Sequence, residues 1–505
     1  MKEVNKKFQV TNQYLKTKIL KDSTSLLLGR LVQMFLQLIN GLIIPKLISP
    51  IQFGLWRSIF MIYQYATFSN LGTYAAIGVE MPYLKGKGDL EKRRKINSNT
   101  FYFNIFISIF LGILLIVSSF FTYGKYSLFY KYGFILFSIL IIATNVSDYY
   151  LQLLRIEKEF KTISILTIIQ VATNLLLSTL LLFYFKKVLL LSVAIIISNL
   201  LLIFFAIKKI GIPDFIAIEL NEILRLIKFG FPLLFNGILL EIFRSVDQLL
   251  IVLFLKPESI GYYALAIAIQ RIGFLIPGIL SSTTMPHIYE EYGKSNDIKN
   301  ISSLFEKSLI FVSIICTITM LSMLIFVPVL IRHYLSTYIN SLPILYILIA
   351  GMYSFGLLGL PEILISITGK INKLIKIQLF NTFLLSLSIF ITLSLNYNII
   401  IVSYITVLFY FIYTIMLLFL TFNIYIKSRR ILIIKIVEIY APYFYILATF
   451  YYINTFFKIE SNLLMDILFA LLKFLLLIIF YLPVLFLLER KYSLFKSIRH
   501  TFLTR

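Results

Sequence analysis

Long apolar runs follow one another from about residue 24 to residue 488, separated by short charged clusters, glycine and proline. About 20 apolar residues suffice for a helix to cross a bilayer. The pattern predicts fourteen spans, near 24–48, 54–79, 100–122, 132–154, 162–185, 188–207, 229–255, 260–288, 308–331, 342–367, 377–395, 398–424, 437–457 and 463–488. A membrane barrel is excluded, because its strands are short and alternate apolar with polar. The expected class is an all-α polytopic membrane protein.

The pattern repeats. A shift of 207 residues lays Pro50-x-x-x-Gly54 on Pro257-x-x-x-Gly261, Gly86-Lys87 on Gly293-Lys294 and Lys92 on Lys299. Six spans separate the two copies, so both point the same way across the membrane, as in transporters built from parallel repeats. The expected organisation is a basic tail (1–23), a six-span lobe (24–207), a cytoplasmic linker (208–228), a second six-span lobe (229–424), two further spans (425–488) and a basic tail (489–505). Residues 1–23 lack the short apolar core and small-residue cleavage site of a signal peptide.

One span breaks the apolar rule. Lys228 to Pro257 is long enough to cross, yet carries Glu241, Arg244 and Asp247 in its middle. At 100° per residue the three share an arc of about 120°. A charge at mid-bilayer costs about 2.5–3.5 kcal/mol on insertion scales and normally faces a bundle interior or a wet cavity. The first span carries a milder version. Arg30, Gln33, Gln37 and Asn40 lie at about 0°, 300°, 340° and 280°, a stripe about 80° wide. The 207-residue shift lays Gln37 on Arg244, Asn40 on Asp247, and Gln64 of span 2 on Arg271 of span 8.

Composition agrees. Of 505 residues 59% are hydrophobic and 14% charged, and mean hydropathy is +0.91. The net charge of +24 does not point to nucleic acid, because Lys and Arg sit mostly in short loops. Lys92-Arg93-Arg94-Lys95, Lys208-Lys209, Arg429-Arg430 and Arg490-Lys491 all fall on one side if the N-terminus is inside; Lys186-Lys187 is a local violation. The positive-inside rule then puts both termini in the cytoplasm. A single cysteine, Cys316, excludes disulfides within the chain, and three scattered histidines do not suggest zinc. No Walker-type phosphate loop is present. No cofactor, metal or catalytic motif is expected. Trp56 and the tyrosines near span ends read as interfacial anchors.

Several short stretches resemble the polysaccharide flippases of the Wzx type. They are Leu28-Gly29-Arg30, Ser49-Pro50-Ile51-Gln52-Phe53-Gly54-Leu55, Asn70-Leu71-Gly72, Lys85-Gly86-Lys87-Gly88-Asp89 and Thr368-Gly369-Lys370. That family lies in the multidrug/oligosaccharidyl-lipid/polysaccharide exporter superfamily, beside lipid II flippases and MATE drug exporters. The resemblance implies two six-helix lobes around a central cavity, plus two C-terminal helices. It implies a carrier, not an enzyme, in the bacterial inner membrane. Its cargo would be undecaprenyl-pyrophosphate-linked oligosaccharide for O-antigen or another surface polysaccharide. H+ or Na+ would drive it, and a polymerase and chain-length regulator would be its protein partners.

On that basis Arg30, Arg244 and Arg271 are candidates for the anionic head, since guanidinium grips phosphate oxygens in a fork. Gln33, Gln37, Asn40 and Gln64 are candidates for sugar hydroxyls. Glu241, Asp247 and Glu362 are candidates for ion coupling, because a desolvated carboxylate can exchange a proton; Glu362 follows Pro361, where a broken backbone ladder would expose carbonyls. The bland alternatives are that Arg244 neutralises Glu241 one turn away and that Arg30 and Arg271 snorkel. Asn145 and Asp148, and Gln170 and Asn174, read as interhelical hydrogen-bond glue. Three rivals remain. A MATE-like drug exporter would prefer an acidic, aromatic site. A lipid II flippase differs only in the sugar. A polytopic glycosyltransferase needs longer outer loops than this chain has.

Overall fold

The computed structural model describes residues 28–295, 297–457 and 462–493. The basic tails, 1–23 and most of 489–505, lie outside that range. Among the described residues the chain is helical, without strands. The helices are α1 (Leu28–Leu47), α2 (Pro50–Ala66), α3 (Thr73–Lys87), α4 (Leu90–Ser119), α5 (Ser127–Ile156), α6 (Phe160–Phe185), α7 (Leu190–Ile210) and α8 (Leu220–Phe254). They continue with α9 (Pro257–Gly273), α10 (Leu275–Ser295), α11 (Ile298–His333), α12 (Leu342–Gly356), α13 (Gly359–Ile367), α14 (Ile371–Ser394), α15 (Ile399–Phe422), α16 (Arg429–Phe456) and α17 (Leu463–Tyr492).

Among the described residues twelve helical stretches are long and apolar enough to cross a membrane, or thirteen if bent α8 counts as one span. The protein is a multi-pass membrane protein, but the expected count of fourteen is not reached. The missing span is the second. Its helix starts at Pro50, four residues before the predicted edge, because Ser49 and Gln52 form a reciprocal capping box with proline at the first turn. It stops at Ala66, passes through a 3-10 turn (Thr67–Asn70) and restarts at Thr73. Asn70 holds the break: its side chain donates to the Thr67 carbonyl (3.2 Å) and accepts from Gly72 N–H (2.9 Å). Leu71 and Gly72 both have positive φ, 48° and 87°. Gly72 also lies backbone to backbone with Gly230 of α8, so a Cβ on either would overlap the other's carbonyl.

Two more predicted spans are broken, the eighth at Phe274 and the tenth between Gly356 and Gly359. In the tenth, Pro361 is not the breaker. It sits in the first turn of α13, where its missing N–H leaves no helix bond unmade, and Glu362 N–H reaches the Leu358 carbonyl (3.1 Å).

The chain divides into two compact units, residues 1–238 and 239–505, with the boundary inside α8. The 207-residue repeat reappears in the helix ends. α2 and α9 each have 17 residues, at Pro50–Ala66 and Pro257–Gly273, and α1 and α8 stop at Leu47 and Phe254.

In the first unit, Ala76, Met81, Phe101, Tyr150, Leu154 and Leu202 pack into one core shared by α3, α4, α5 and α7. Polar side chains bridge the helices above it. Asn145 of α5 donates to Ser69 (3.0 Å) and Ser108 (2.7 Å), and Gln170 of α6 donates to Asn199 of α7 (2.8 Å). Such bonds hold helices together where no hydrophobic drive exists between them. The connection after α7, residues 211–219, runs along this unit: Ser98 and Asn99 accept from Ile216 and Glu219 backbone N–H groups. Trp56 is no interfacial anchor. It is 9% exposed and stacks on Phe60 at 4.7 Å.

In the second unit, Gly273 lets α9 approach Met352 of α12 with no room for a Cβ, and Gln270 donates to the Leu348 carbonyl (2.6 Å). α16 and α17 are tied in at both ends. Glu306 of α11 pairs with Lys435 (2.8 Å), and Asp466 of α17 meets His333 (2.8 Å) and Arg332 (3.8 Å).

Candidate functional site

The charged stretch of the sequence becomes the second limb of α8. Pro232 removes a backbone donor inside this helix, and the limbs Leu220–Pro232 and Leu234–Phe254 meet at 50°. Arg244 falls midway along the second limb.

The three charges expected on one face take separate partners. Asp247 is 1% exposed. Its carboxylate accepts from the Tyr263 hydroxyl of α9 (2.5 Å) and from Gln248 N–H (2.7 Å). Tyr263 lies 3.5 Å from Thr406 of α15. Glu241 pairs with Arg271 of α9 at 3.8 Å, rather than with Arg244 on its own helix. Arg244 is exposed. Its guanidinium lies 5.0 Å from the centre of the Phe355 ring. Among the described residues it has no carboxylate within ion-pair distance. Glu362 of α13 is the acid whose charge it feels.

Aromatic rings wall this cluster. Phe243 packs on Tyr413 (4.9 Å) and Tyr410 (5.6 Å), and Phe355 packs on Tyr410 (4.9 Å). Tyr410 is 3% exposed and within electrostatic reach of Asp247, Arg271, Arg244 and Glu241 together. Tyr413 stands beside Glu362 and Arg244. Thus α8, α9, α13 and α15 bring together Glu241, Arg244, Asp247, Arg271 and Glu362. Two guanidiniums meet three carboxylates. The expected cationic pocket is instead a mixed set of charges, in which Glu241 holds Arg271 while Arg244 lies over the Phe355 ring.

In the first unit the expected polar stripe stays on α1. Asn40 accepts from Ser178 of α6 (3.2 Å). Gln33 is half-buried, while Arg30 and Gln37 are exposed, and none of the three has a partner among the described residues. Gln64 is half-buried in α2. Asp148 was grouped with Asn145 as glue, yet it makes no hydrogen bond among the described residues; it faces Tyr63 and Tyr74.

Tyr263, Tyr410 and Tyr413 are the site residues that sequence reasoning missed. For Tyr410 and Tyr413 the sequence offers a spacing with Thr406 that puts all three on one face of α15; for Tyr263, on α9, it offers none. Among the described residues no group of three or more His, Cys, Asp or Glu is placed to hold a metal ion.

The family model described as "Polysaccharide biosynthesis protein" matches residues 19–290. No curated protein matches the chain in sequence. Among solved structures, the lipid II flippase MurJ in an inward closed conformation superposes with a TM-score of 0.69 at 17% identity, covering 91% of this chain and 99% of that one. An inward-facing multidrug resistance MATE family transporter of the MOP superfamily gives 0.62 at 14% identity, covering 76% and 92%. A Vibrio cholerae MATE transporter mutant gives 0.57 at 13% identity, covering 83% and 99%. These likenesses establish the fold.

Proposed function

Since this chain belongs to the polysaccharide biosynthesis protein family and has the fold of MurJ and MATE transporters, we propose that it is a lipid-linked oligosaccharide flippase. Its cargo is an undecaprenyl-pyrophosphate-linked repeat unit of O-antigen or another surface polysaccharide. It moves this cargo from the inner to the outer leaflet of the bacterial plasma membrane by alternating access, with both termini cytoplasmic. The resemblance assigns Arg30, with Arg244 and Arg271, to the anionic head, and Gln33, Gln37, Asn40 and Gln64 to the sugar.

One observation supports this reading most: the Arg244 guanidinium, midway along a membrane helix, is exposed and has no paired carboxylate among the described residues. A pyrophosphate supplies the oxygens that such a fork binds. Arg271 joins it once Glu241 lets go. Loss of negative charge at Glu241 or Glu362, by proton or Na+ binding, frees a guanidinium for the cargo. Anion binding and cation binding at one cluster therefore favour each other. Asp247, tied to Tyr263, is a third carboxylate able to serve.

Replacing Arg244 and Arg271 by Ala at unchanged membrane levels should abolish surface polysaccharide. Normal surface polysaccharide in that variant rules the assignment out. A second reading has its own observation: buried Asp247 and the Phe243, Phe355, Tyr410 and Tyr413 rings form the acidic, aromatic setting that suits organic cations. Uptake of cationic dyes by vesicles containing this chain alone would favour a drug exporter. A lipid II cargo differs only in the sugar, and competition with peptidoglycan precursor separates the two.

A further inference from the structure

A cavity of about 820 Å³ opens in the second unit, lined by α11, α12, α15, α16 and α17. It is apart from the α8 charge cluster, since no residue of α8 or α9 lines it. Its size lies within the range of small-molecule sites, about 300–1,000 Å³. Most of its wall is apolar or aromatic, including Phe450, Tyr451, Phe469 and Tyr404. One end is charged.

Arg332 of α11 and Lys473 of α17 both line that end and feel each other's charge. Like charges held in a partly desolvated pocket repel, and the lining offers one carboxylate, Asp466. Asp466 is 5% exposed and already committed to His333 at 2.8 Å and Arg332 at 3.8 Å. Among the described residues Lys473 touches the neutral Asn454 oxygen, at 2.8 Å, and the Phe457 ring, at 5.4 Å, and feels the Asp466 charge only from beyond ion-pair distance. An ammonium with no ion-paired carboxylate among the described residues therefore heads an apolar pocket. The ligand that fits has one anionic group and a large apolar body.

We infer that this cavity binds an anionic phospholipid of the surrounding bilayer, with its phosphate on Lys473 and Arg332 and its acyl chain along the aromatic wall. Free phosphate would leave nearly all of the cavity unfilled. A zwitterionic lipid would bring its own cation to the Lys473 and Arg332 end. The lipid would join α16 and α17 to α11 and α12, because all four contribute to the wall. The loop charges put this end of the helices on the outer face, so the lipid comes from the outer leaflet.

The full chain, purified in detergent and delipidated, is titrated with phosphatidylglycerol, phosphatidylcholine, undecaprenyl phosphate and inorganic phosphate under native mass spectrometry. Phosphatidylglycerol is expected to bind at least tenfold more tightly than phosphatidylcholine. Lys473→Gln should remove most of that preference without changing the melting temperature of the lipid-free protein. Ala470→Phe, which fills the cavity from α17, should weaken phosphatidylglycerol binding with Lys473 intact. Equal binding of the two phospholipids, or an unchanged preference in both variants, overturns the inference. So does binding of undecaprenyl phosphate alone, or displacement of phosphatidylglycerol by millimolar inorganic phosphate.

Discussion

α1 and α8 occupy the same place in the two repeats and end at matching positions, Leu47 and Phe254, yet their polar residues are used differently. Asn40 of α1 meets a serine, whereas its counterpart Asp247 meets a buried tyrosine. Gln37 is exposed with no partner among the described residues, whereas its counterpart Arg244 stacks on Phe355 and feels Glu362. The framework is kept between the units and the chemistry is not. A repeat can therefore preserve helix ends while concentrating charge in one copy. The first copy keeps hydrogen bonds that any helix bundle uses; the second gathers five ionisable groups from α8, α9 and α13.

The backbone break is the sharpest contrast to test. Gly72 needs positive φ and direct contact with Gly230, while the matching position in the second unit is Ile279. Gly72→Val combines backbone strain with overlap and should cost about 3 kcal/mol or more, seen as loss of folded protein from membranes. Ile279→Val should leave levels near wild type. Folded Gly72→Val at normal levels would show that the two breaks are equivalent.

Next in size is the charge cluster. Glu241→Gln releases Arg271 and should raise affinity for a pyrophosphate-bearing lipid about tenfold while weakening its dependence on proton or Na+ concentration. An unchanged affinity would mean that the Glu241 and Arg271 pair is only structural. The buried bonds come third. Tyr263→Phe strips a donor from a buried carboxylate and should cost about 1.5–3 kcal/mol, whereas Asn40→Ala in the first unit should cost about 0.6 kcal/mol, the usual scale for such bonds in membranes. Thermal unfolding in detergent reads both. The smallest effect is at the helix starts. Ser49 caps α2, but Lys256 gives α9 no side-chain cap. Ser49→Ala should lose about 1 kcal/mol and Lys256→Ser should gain a similar or smaller amount.

Much of this framework was legible in the sequence. The repeat placed Pro50 and Pro257 at equivalent helix starts, and the apolar runs gave the all-helical class. The break at Asn70-Leu71-Gly72 was not read. A helix that turns and restarts within an apolar run keeps the same hydropathy, and only contact with Gly230 shows why the glycine is needed. The site was half legible. Arg244 and Asp247 stood out because charge in a membrane span is costly. About 60° separates them around the helix axis, and packing alone decides that one enters the bundle while the other turns to Phe355. Tyr263, Tyr410 and Tyr413 were hidden for a different reason. In a helix apolar on every side, periodicity does not say which face meets a neighbour and which meets lipid.

We propose that the guanidiniums of the second unit grip the cargo's pyrophosphate. The most direct test of this claim is equilibrium binding of an undecaprenyl-pyrophosphate-linked sugar to the purified protein. Comparison of wild type, Gln37→Ala and the Arg244→Ala, Arg271→Ala double variant should show a few-fold loss for the first substitution and a hundredfold or greater loss for the pair. Equal losses in the two variants, or undiminished binding in the double variant, would contradict it.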